Sequence, residues 1–260
     1  MPAVTDLDAH ERVLVEHVFE TETKTPHFGL LLRDLRRLSS ELPEGAVVVS
    51  LERTLLYGGV SLFAPYFAGK RLEIVDCSPP SADERGAYNA AMVNRPDFIQ
   101  VRYTRRAPIE ETGLDSASAD LVIVPNLVHH VADQDKLFGE MARILKPGGR
   151  AYVFEPILRE LHQIPDDYLR YTPYGVQQMF RKVGLEPEGF EIDGGPFTAI
   201  AYCWIQALQH FPPGKREEME EWFYGRHFGE LLGYEAEYPK NLFRRHTHFA
   251  VSFSTSARKA

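Results

Sequence analysis

The stretch from Ala119 to Pro156, reading ADLVIVPNLVHHVADQDKLFGEMARILKPGGRAYVFEP, leaves this chain few architectures to choose from. Leu121 to Val124 and Ala151 to Phe154 are apolar runs too brief for a helix, so each predicts a strand buried on both faces. Between them Leu137, Phe138, Met141, Ile144 and Leu145 recur at helical spacing and form one apolar stripe. Asp133 stands where it can cap that helix, and Lys146-Pro147-Gly148-Gly149 supplies a cation, a breaker and turn glycines at its far end. Strand, helix and strand of this length make a right-handed crossover with parallel strands. In such sheets a ligand lies beyond the carboxyl ends of the strands, here Pro125 to His130 and Glu155-Pro156.

The flanking sequence extends the sheet on either side. Ala46 to Ser50 follows the Glu44-Gly45 turn and predicts the first strand; Leu72 to Val75, ending in Asp76, predicts the second, and Phe98 to Arg102 the third. Upstream, Asp8 to Leu42 has helical spacing in Val13, Leu14 and Val18 and again in Leu30, Leu31, Leu35 and Leu38, with a break at Pro26. Residues 1–45 are therefore an N-terminal helical segment, and residues 46–260 the main domain. Thr172-Pro173 is an N-cap followed by proline at the first helical position, and that helix runs to Gly184. From Gly194 to Arg245 the apolar run Phe197 to Leu208, the Pro212-Pro213-Gly214 break and the amphipathic REEMEEWFYGRHFGELLGY predict a helical insertion. It is either a cap over the site or a homodimer surface. Its aromatics Trp204, Trp222, Phe223, Tyr224 and Phe228 are read as core. Thr247 to Ser254 alternates Phe249, Val251 and Phe253, which predicts an antiparallel closing strand.

Composition narrows the partners. With 29 basic and 37 acidic residues the formal net charge is −8, which argues against nucleic acid and suits a small or carbohydrate-like substrate. Cys77 and Cys203 form neither metal spacing nor a disulfide framework, which points to a reducing cytoplasm. Asp6, Asp8 and Glu11 stand where a signal peptide would be basic and then apolar. Phe197 to Leu208 is too short to cross a bilayer, so no membrane span is expected.

Two stretches, DLVIVPNLVHHVADQDKLFGEMARILKPGG and DDYLRYTPYGVQQMFRKVGLEP, resemble class I S-adenosylmethionine-dependent methyltransferases, specifically those acting on small molecules and sugars. The resemblance covers roughly Ala46 to Gly194 and the last strand, the scale of one domain. It implies an α/β fold: a Rossmann-like, seven-stranded, mostly parallel sheet with an antiparallel last strand, here with N-terminal helices and a helical insertion before that strand. It also implies a cofactor, S-adenosylmethionine, held at a GxGxG turn after the first strand. In this chain that turn reads LERTLLYGGVSLF. Gly59 takes the motif's last glycine and Gly58 precedes it, while Leu55 and Tyr57 stand where the family has glycine. The motif's acid falls on Arg53, or on Glu52 if the loop is longer. Asp76 matches the acid that accepts both ribose hydroxyls. Pro108 and Ile109 occupy the place of the acid that binds the adenine amino group, with Glu110 or Glu111 able to substitute after a small shift.

For the chemistry, methyl transfer to a hydroxyl requires alignment and a base. His129 and His130 follow the fourth strand, with His129 favoured as the base and His130 as a packing residue, and Asn126 can orient the hydroxyl. Tyr168, Arg170 and Tyr171 lie at the substrate mouth, and Arg53 with Arg105 and Arg106 could form a cationic rim. His10, His17 and His27 are too widely spread for a metal, and His246 and His248 lack a third ligand, so no metal is expected. Three classes follow: a methyltransferase of small molecules or sugars acting on oxygen; another transferase or hydrolase that has lost the cofactor and takes an anionic substrate; or a non-catalytic subunit binding a partner through the insertion.

Overall fold

The computed structural model describes residues 6–18, 28–79, 95–237 and 249–260. In these, α1 (Leu7–Val13, prolonged by a π-helical turn to Val18) and α2 (Gly29–Glu41) precede the sheet. Then come β1 (Val47–Glu52), β2 (Val60–Ser61), β3 (Arg71–Asp76), β4 (Val101–Arg102), β5 (Arg105–Arg106) and β6 (Ala119–Pro125). The crossover helix α3 (Gln134–Ile144) leads into β7 (Leu145–Pro156), and α4 (Pro173–Lys182) into β8 (Leu185–Asp193). Helices α5 (Pro196–Leu208), α6 (Pro213–Trp222) and α7 (Phe228–Glu237) follow, then the closing β9 (Ser252–Lys259). The break at Pro26 and the histidines at 27, 246 and 248 lie outside the described residues, as does Thr247.

Among the described residues, seven strands form one sheet in the order β5-β3-β1-β6-β7-β9-β8. β9 runs antiparallel to both of its neighbours and the remaining pairings are parallel, as the sequence predicts. Alternation within each strand feeds two cores. In β6, Leu121 and Ile123 pack with Leu31, Leu35 and Leu38 of α2, while Val122 and Val124 pack with Leu137, Phe138 and Met141 of α3. The α3 cap is as expected, Asp133 Oδ1 accepting from the Lys136 amide at 3.1 Å. Buried Glu140 ties α3 to the chain before β6, accepting from the Thr112 amide at 2.8 Å and its hydroxyl at 2.6 Å, with Arg143 Nε at 2.7 Å. No helix among the described residues is long and apolar enough to cross a membrane.

Three strands differ from expectation. β7 begins at Leu145, directly after α3, so Leu145 and the Lys146–Gly149 stop lie in the strand and not in the helix and a separate turn. The third strand of the main sheet is Arg105–Arg106, paired with Val75 and Asp76, whereas Val101–Arg102 pairs antiparallel with Val60–Ser61 in a separate ribbon. Phe98 explains the displacement: it is buried against the His10 ring at 4.4 Å, and the Ile99 amide donates to His10 Nδ1, so this segment is held to α1 instead of the sheet. The closing strand begins at Ser252 and not at Thr247. Val251 is a corner whose carbonyl accepts from the Ile157 and Leu158 amides, which leaves Phe249 63% exposed and Phe253 fully buried.

Candidate active site

β1 and β3 end side by side, with Glu52 and Asp76 as register partners at their carboxyl ends. Glu52 is buried and accepts from Ser50 Oγ at 2.5 Å, Ser61 Oγ at 2.6 Å and the Leu62 amide at 3.2 Å. Burial, which opposes these hydrogen bonds, raises its carboxyl to about 7, and the charge of Asp76 adds to the rise. Of the two registrations open in the sequence, the structure puts Glu52 at the strand end and Arg53 in the loop. Asp76 is fully buried; its Oδ1 accepts from Ser78 Oγ at 2.6 Å, Thr54 Oγ1 at 2.8 Å and the Leu55 amide at 3.2 Å. Its Oδ2 forms no hydrogen bond and faces the Arg106 guanidinium at 3.5 Å.

Thr54–Tyr57 folds into a 3-10 turn that Gly58 (φ 66°) and Gly59 (φ 81°) close in the left-handed region. Their amides return to the Leu55 and Thr54 carbonyls, and a Cβ on Gly59 would stand 3.3 Å from the Tyr103 ring. Neither glycine lines either of the two cavities beyond the strand ends, and among the described residues their part is to close the turn.

Two cavities open beyond the strand ends. A cleft of about 520 Å³ is walled by Cys77, Ser78, Ala107, Pro108, Ile109, Glu110, Leu127 and Val131, with Arg53, Arg106, His130, Asp166 and Tyr168 at its edges. Glu110, and not Glu111, faces it. The second cavity, bounded by Glu52, Tyr57, Asn126, His130 and Gln163, holds only about 50 Å³. Arg53 fills much of that region, donating to Gln163 Oε1 at 2.7 Å and to the His130 carbonyl at 3.1 Å. Asn126 takes a left-handed φ of 58°, and its side-chain Oδ1 is buried without a hydrogen-bond partner.

The turn Val128–His130 after β6 carries both histidines. His129 is fully buried, its Nδ1 against Glu155 Oε2 at 2.6 Å, and it lines neither cavity, whereas His130 lines both. The preference for His129 as the reactive imidazole is therefore reversed on access. Glu155, also buried, accepts from the Val128 amide at 2.7 Å, which holds the turn against the end of β7. His130 Nδ1 meets the Asp166 carbonyl at 2.5 Å, and burial, with His129 and Arg53 adding, pushes its pKa down to about 2. His162, which sequence reasoning passed over, completes a cluster with its Nε2 3.4 Å from that of His129. The signal was weak: a lone histidine between two loop residues, thirty-three positions from His129.

Of the predicted substrate residues, Tyr168 lines the cleft, half exposed. Arg170 does not: its guanidinium grips Asp167 at 2.5 and 2.8 Å and the Glu160 carbonyl at 3.0 Å. Tyr171 packs beneath α4, so close to Gly175 that a Cβ there would lie 2.7 Å from its ring. Arg105 turns away to the Gly113 carbonyl, leaving Arg53 and Arg106 as the cations of the rim. In the insertion Phe223 is buried, but Trp204, Trp222 and Phe223 also wall an open apolar cavity of about 830 Å³ with Leu158 and Phe249, so these aromatics are only partly core.

A family of methyltransferase domains matches residues 58–153. A dimethylglycine N-methyltransferase of Parasynechococcus marenigrum is 29% identical over 154 residues, 53% of this chain and 52% of that protein, so the match spans about half of the relative's length. Among solved structures, a phosphoethanolamine N-methyltransferase of Haemonchus contortus bound to S-adenosyl-L-methionine superposes with a TM-score of 0.52 at 16% identity, covering 96% of this chain and 56% of that one. A geranyl diphosphate C-methyltransferase of Streptomyces coelicolor superposes with a TM-score of 0.51 at 14% identity, covering 100% and 88%. Strand order and the placement of the cleft are those of the Rossmann-like methyltransferase fold, and residues 58–153 carry the likeness to the methyltransferase-domain family.

Proposed function

We propose that this protein transfers the methyl group of S-adenosylmethionine to a hydroxyl of a small acceptor, such as a sugar or another small metabolite. The observation that carries the reading is Asp76 Oδ2 at the end of β3, a carboxylate oxygen without a hydrogen bond that lies behind the cleft residues Cys77, Ser78 and Arg106, so that a ligand reaches it by displacing the Arg106 guanidinium now 3.5 Å away. Such an atom wants a donor, and a ribose hydroxyl supplies one. The adenosine part of the cofactor suits the cleft, with Ile109, Leu127 and Val131 as apolar walls and Ser78 and Glu110 as polar ones. The methionine part does not fit the side chains as they stand, because only about 50 Å³ remains beside Arg53 and Tyr57. Arg53 has to leave Gln163 and the His130 carbonyl; once released, its guanidinium is a suitable partner for an α-carboxylate. When bound, the cofactor supplies an electrophilic methyl on a sulfonium. The chain's own contribution would then be orientation and a proton acceptor: Asn126 Oδ1 at the small cavity would accept a hydrogen bond from the acceptor hydroxyl, and Glu52, at the same cavity with its carboxyl raised to about 7, would take the hydroxyl proton as the methyl is transferred.

Calorimetry with S-adenosylmethionine and S-adenosylhomocysteine tests this. Asp76→Asn keeps the side chain's size and should weaken binding at least about tenfold, or about 1.4 kcal/mol. Ala107→Trp should fill the cleft and abolish binding. No heat from either ligand at millimolar concentration would retire the reading. A second reading then gains from Arg53 and Arg106, two guanidiniums at the edge of one cleft: the cofactor is lost and an anionic substrate takes its place. Saturable binding of inorganic pyrophosphate, weakened by Arg106→Ala, would support it.

A further inference from the structure

We infer that His129, His130 and His162 form a binding site for a divalent transition-metal ion of the Zn²⁺ type. One ring nitrogen from each lies within 4.8 Å of the others. The turn after β6 presents the first two, and the loop after β7 returns the third. The inference is independent of cofactor binding.

The hydrogen bonds fix which nitrogens carry the lone pairs. A carbonyl oxygen only accepts, so the Asp166 carbonyl holds the proton of His130 on Nδ1, and the Glu160 carbonyl at 3.2 Å does the same for His162. Glu155 Oε2 at 2.6 Å draws the His129 proton to its Nδ1. In the neutral cluster each Nε2 therefore carries the free lone pair. Those of His129 and His162 approach to 3.4 Å with no donor between them, and that of His130 is buried with no hydrogen-bond partner among the described residues. Two facing lone pairs at 3.4 Å repel one another unless a cation sits between them.

The dimensions agree with an ion. Zinc–nitrogen bonds of about 2.0–2.1 Å in a tetrahedron separate two nitrogens by roughly 3.3 Å, close to the observed His129–His162 spacing. The widest separation, 4.8 Å, must close by roughly 1.5 Å. Each Nδ1 already rests on an oxygen, the arrangement that orients metal-bound imidazoles. Imidazoles suit zinc and its neighbours, whereas magnesium and calcium want oxygen. The charge around the cluster is mixed: the guanidiniums of Arg53 and Arg159 oppose a cation, while buried Glu155 and the carboxylate of Asp167 favour one. Three ligands leave a coordination position open, and His130 lines both cavities, so an ion held here lies against the wall they share.

The test uses untagged, full-length protein dialysed against a chelator and titrated with ZnCl₂ by calorimetry, with the metal content read by mass spectrometry. One zinc per chain is expected. His162→Ala should weaken binding at least about a hundredfold, while His210→Ala, at an exposed histidine after α5, should leave it unchanged. Titration with Co²⁺ gives an independent readout on the unaltered protein, where the intense visible bands of a four-coordinate nitrogen site are expected. Absence of stoichiometric zinc, a six-coordinate cobalt spectrum, or binding that survives His162→Ala would each overturn the inference.

Discussion

Glu52 enters the sheet's end as a carboxyl taken out of water, and its pKa rises from 4.5 to about 7. The folded chain therefore holds a proton there, between pH 4.5 and 7, that the unfolded chain releases. The stability this lends is full at pH 4 and is lost as pH climbs through 7. The span corresponds to about 3 kcal/mol. Urea denaturation at pH 5 and pH 8 should show the native chain weakening by up to this amount more than Glu52→Gln, in which the titrating group is gone. Equal pH slopes would mean that the Ser50, Ser61 and Leu62 donors already hold the carboxylate as well as water does.

At the level of single elements, α5 is capped from outside. Its own N-cap, Gly195, has no side chain to offer, and Glu235 of α7 accepts from the Phe197 amide at 3.0 Å and the Thr198 amide at 2.8 Å. A carboxylate at a helix N-terminus satisfies orphan donors and complements the dipole. Glu235→Ala should cost about 1 kcal/mol, the usual worth of a cap. Hydrogen exchange should locate the loss, with the first turn of α5 exchanging faster while β6 and β7 stay protected. Gly195→Ala should have the same effect, because a Cβ at that position would meet the Glu235 carboxylate at 1.9 Å. By contrast Thr172 caps α4 from within the sequence, its Oγ1 accepting from the Gly175 amide at 3.3 Å.

For the whole molecule, the decisive strand is the last. β9 lies between β7 and β8, so the sheet is incomplete until its C-terminal residues arrive. Phe253 and Ala257 are fully buried in the α3 and α4 core, and Lys259 Nζ caps the end of α3 through the Ala142 and Leu145 carbonyls at 2.6 and 2.8 Å. Phe253→Ala should cost about 3–5 kcal/mol. That lowers the thermal midpoint by about 10 °C in a domain of this size. Removing residues 252–260 should leave no cooperative unfolding transition, since β8 would lose its partner in the sheet.

The central crossover was legible because its information is local. Four-residue apolar runs, a helical stripe, Asp133 and the Lys146–Gly149 stop each bias their own few residues, and all agree with the tertiary outcome. The carboxyl-end rule then put the cleft in the right place, and Asp76, Ile109, Asn126, His130, Tyr168 and Arg53 all lie on or beside a cavity. What the sequence could not decide was which of two equally plausible neighbours turns inward. A two-residue edge strand such as Arg105–Arg106 has no periodicity to read, and pairing with β3 alone selects it over the Phe98 segment. The start of β9 depends on where Val251 meets β7 and β8, a contact between residues nearly a hundred apart. His129 and His130 are adjacent in sequence, yet the hold of Glu155 on one and the loop at Asp166 on the other decide which is sealed and which reaches the cavities. His162 joins them only because the chain after β7 folds back over the β6 turn. Periodic burial is written along the chain; convergence of side chains from separate loops is fixed by packing, and appears only when the sheet has brought those loops together.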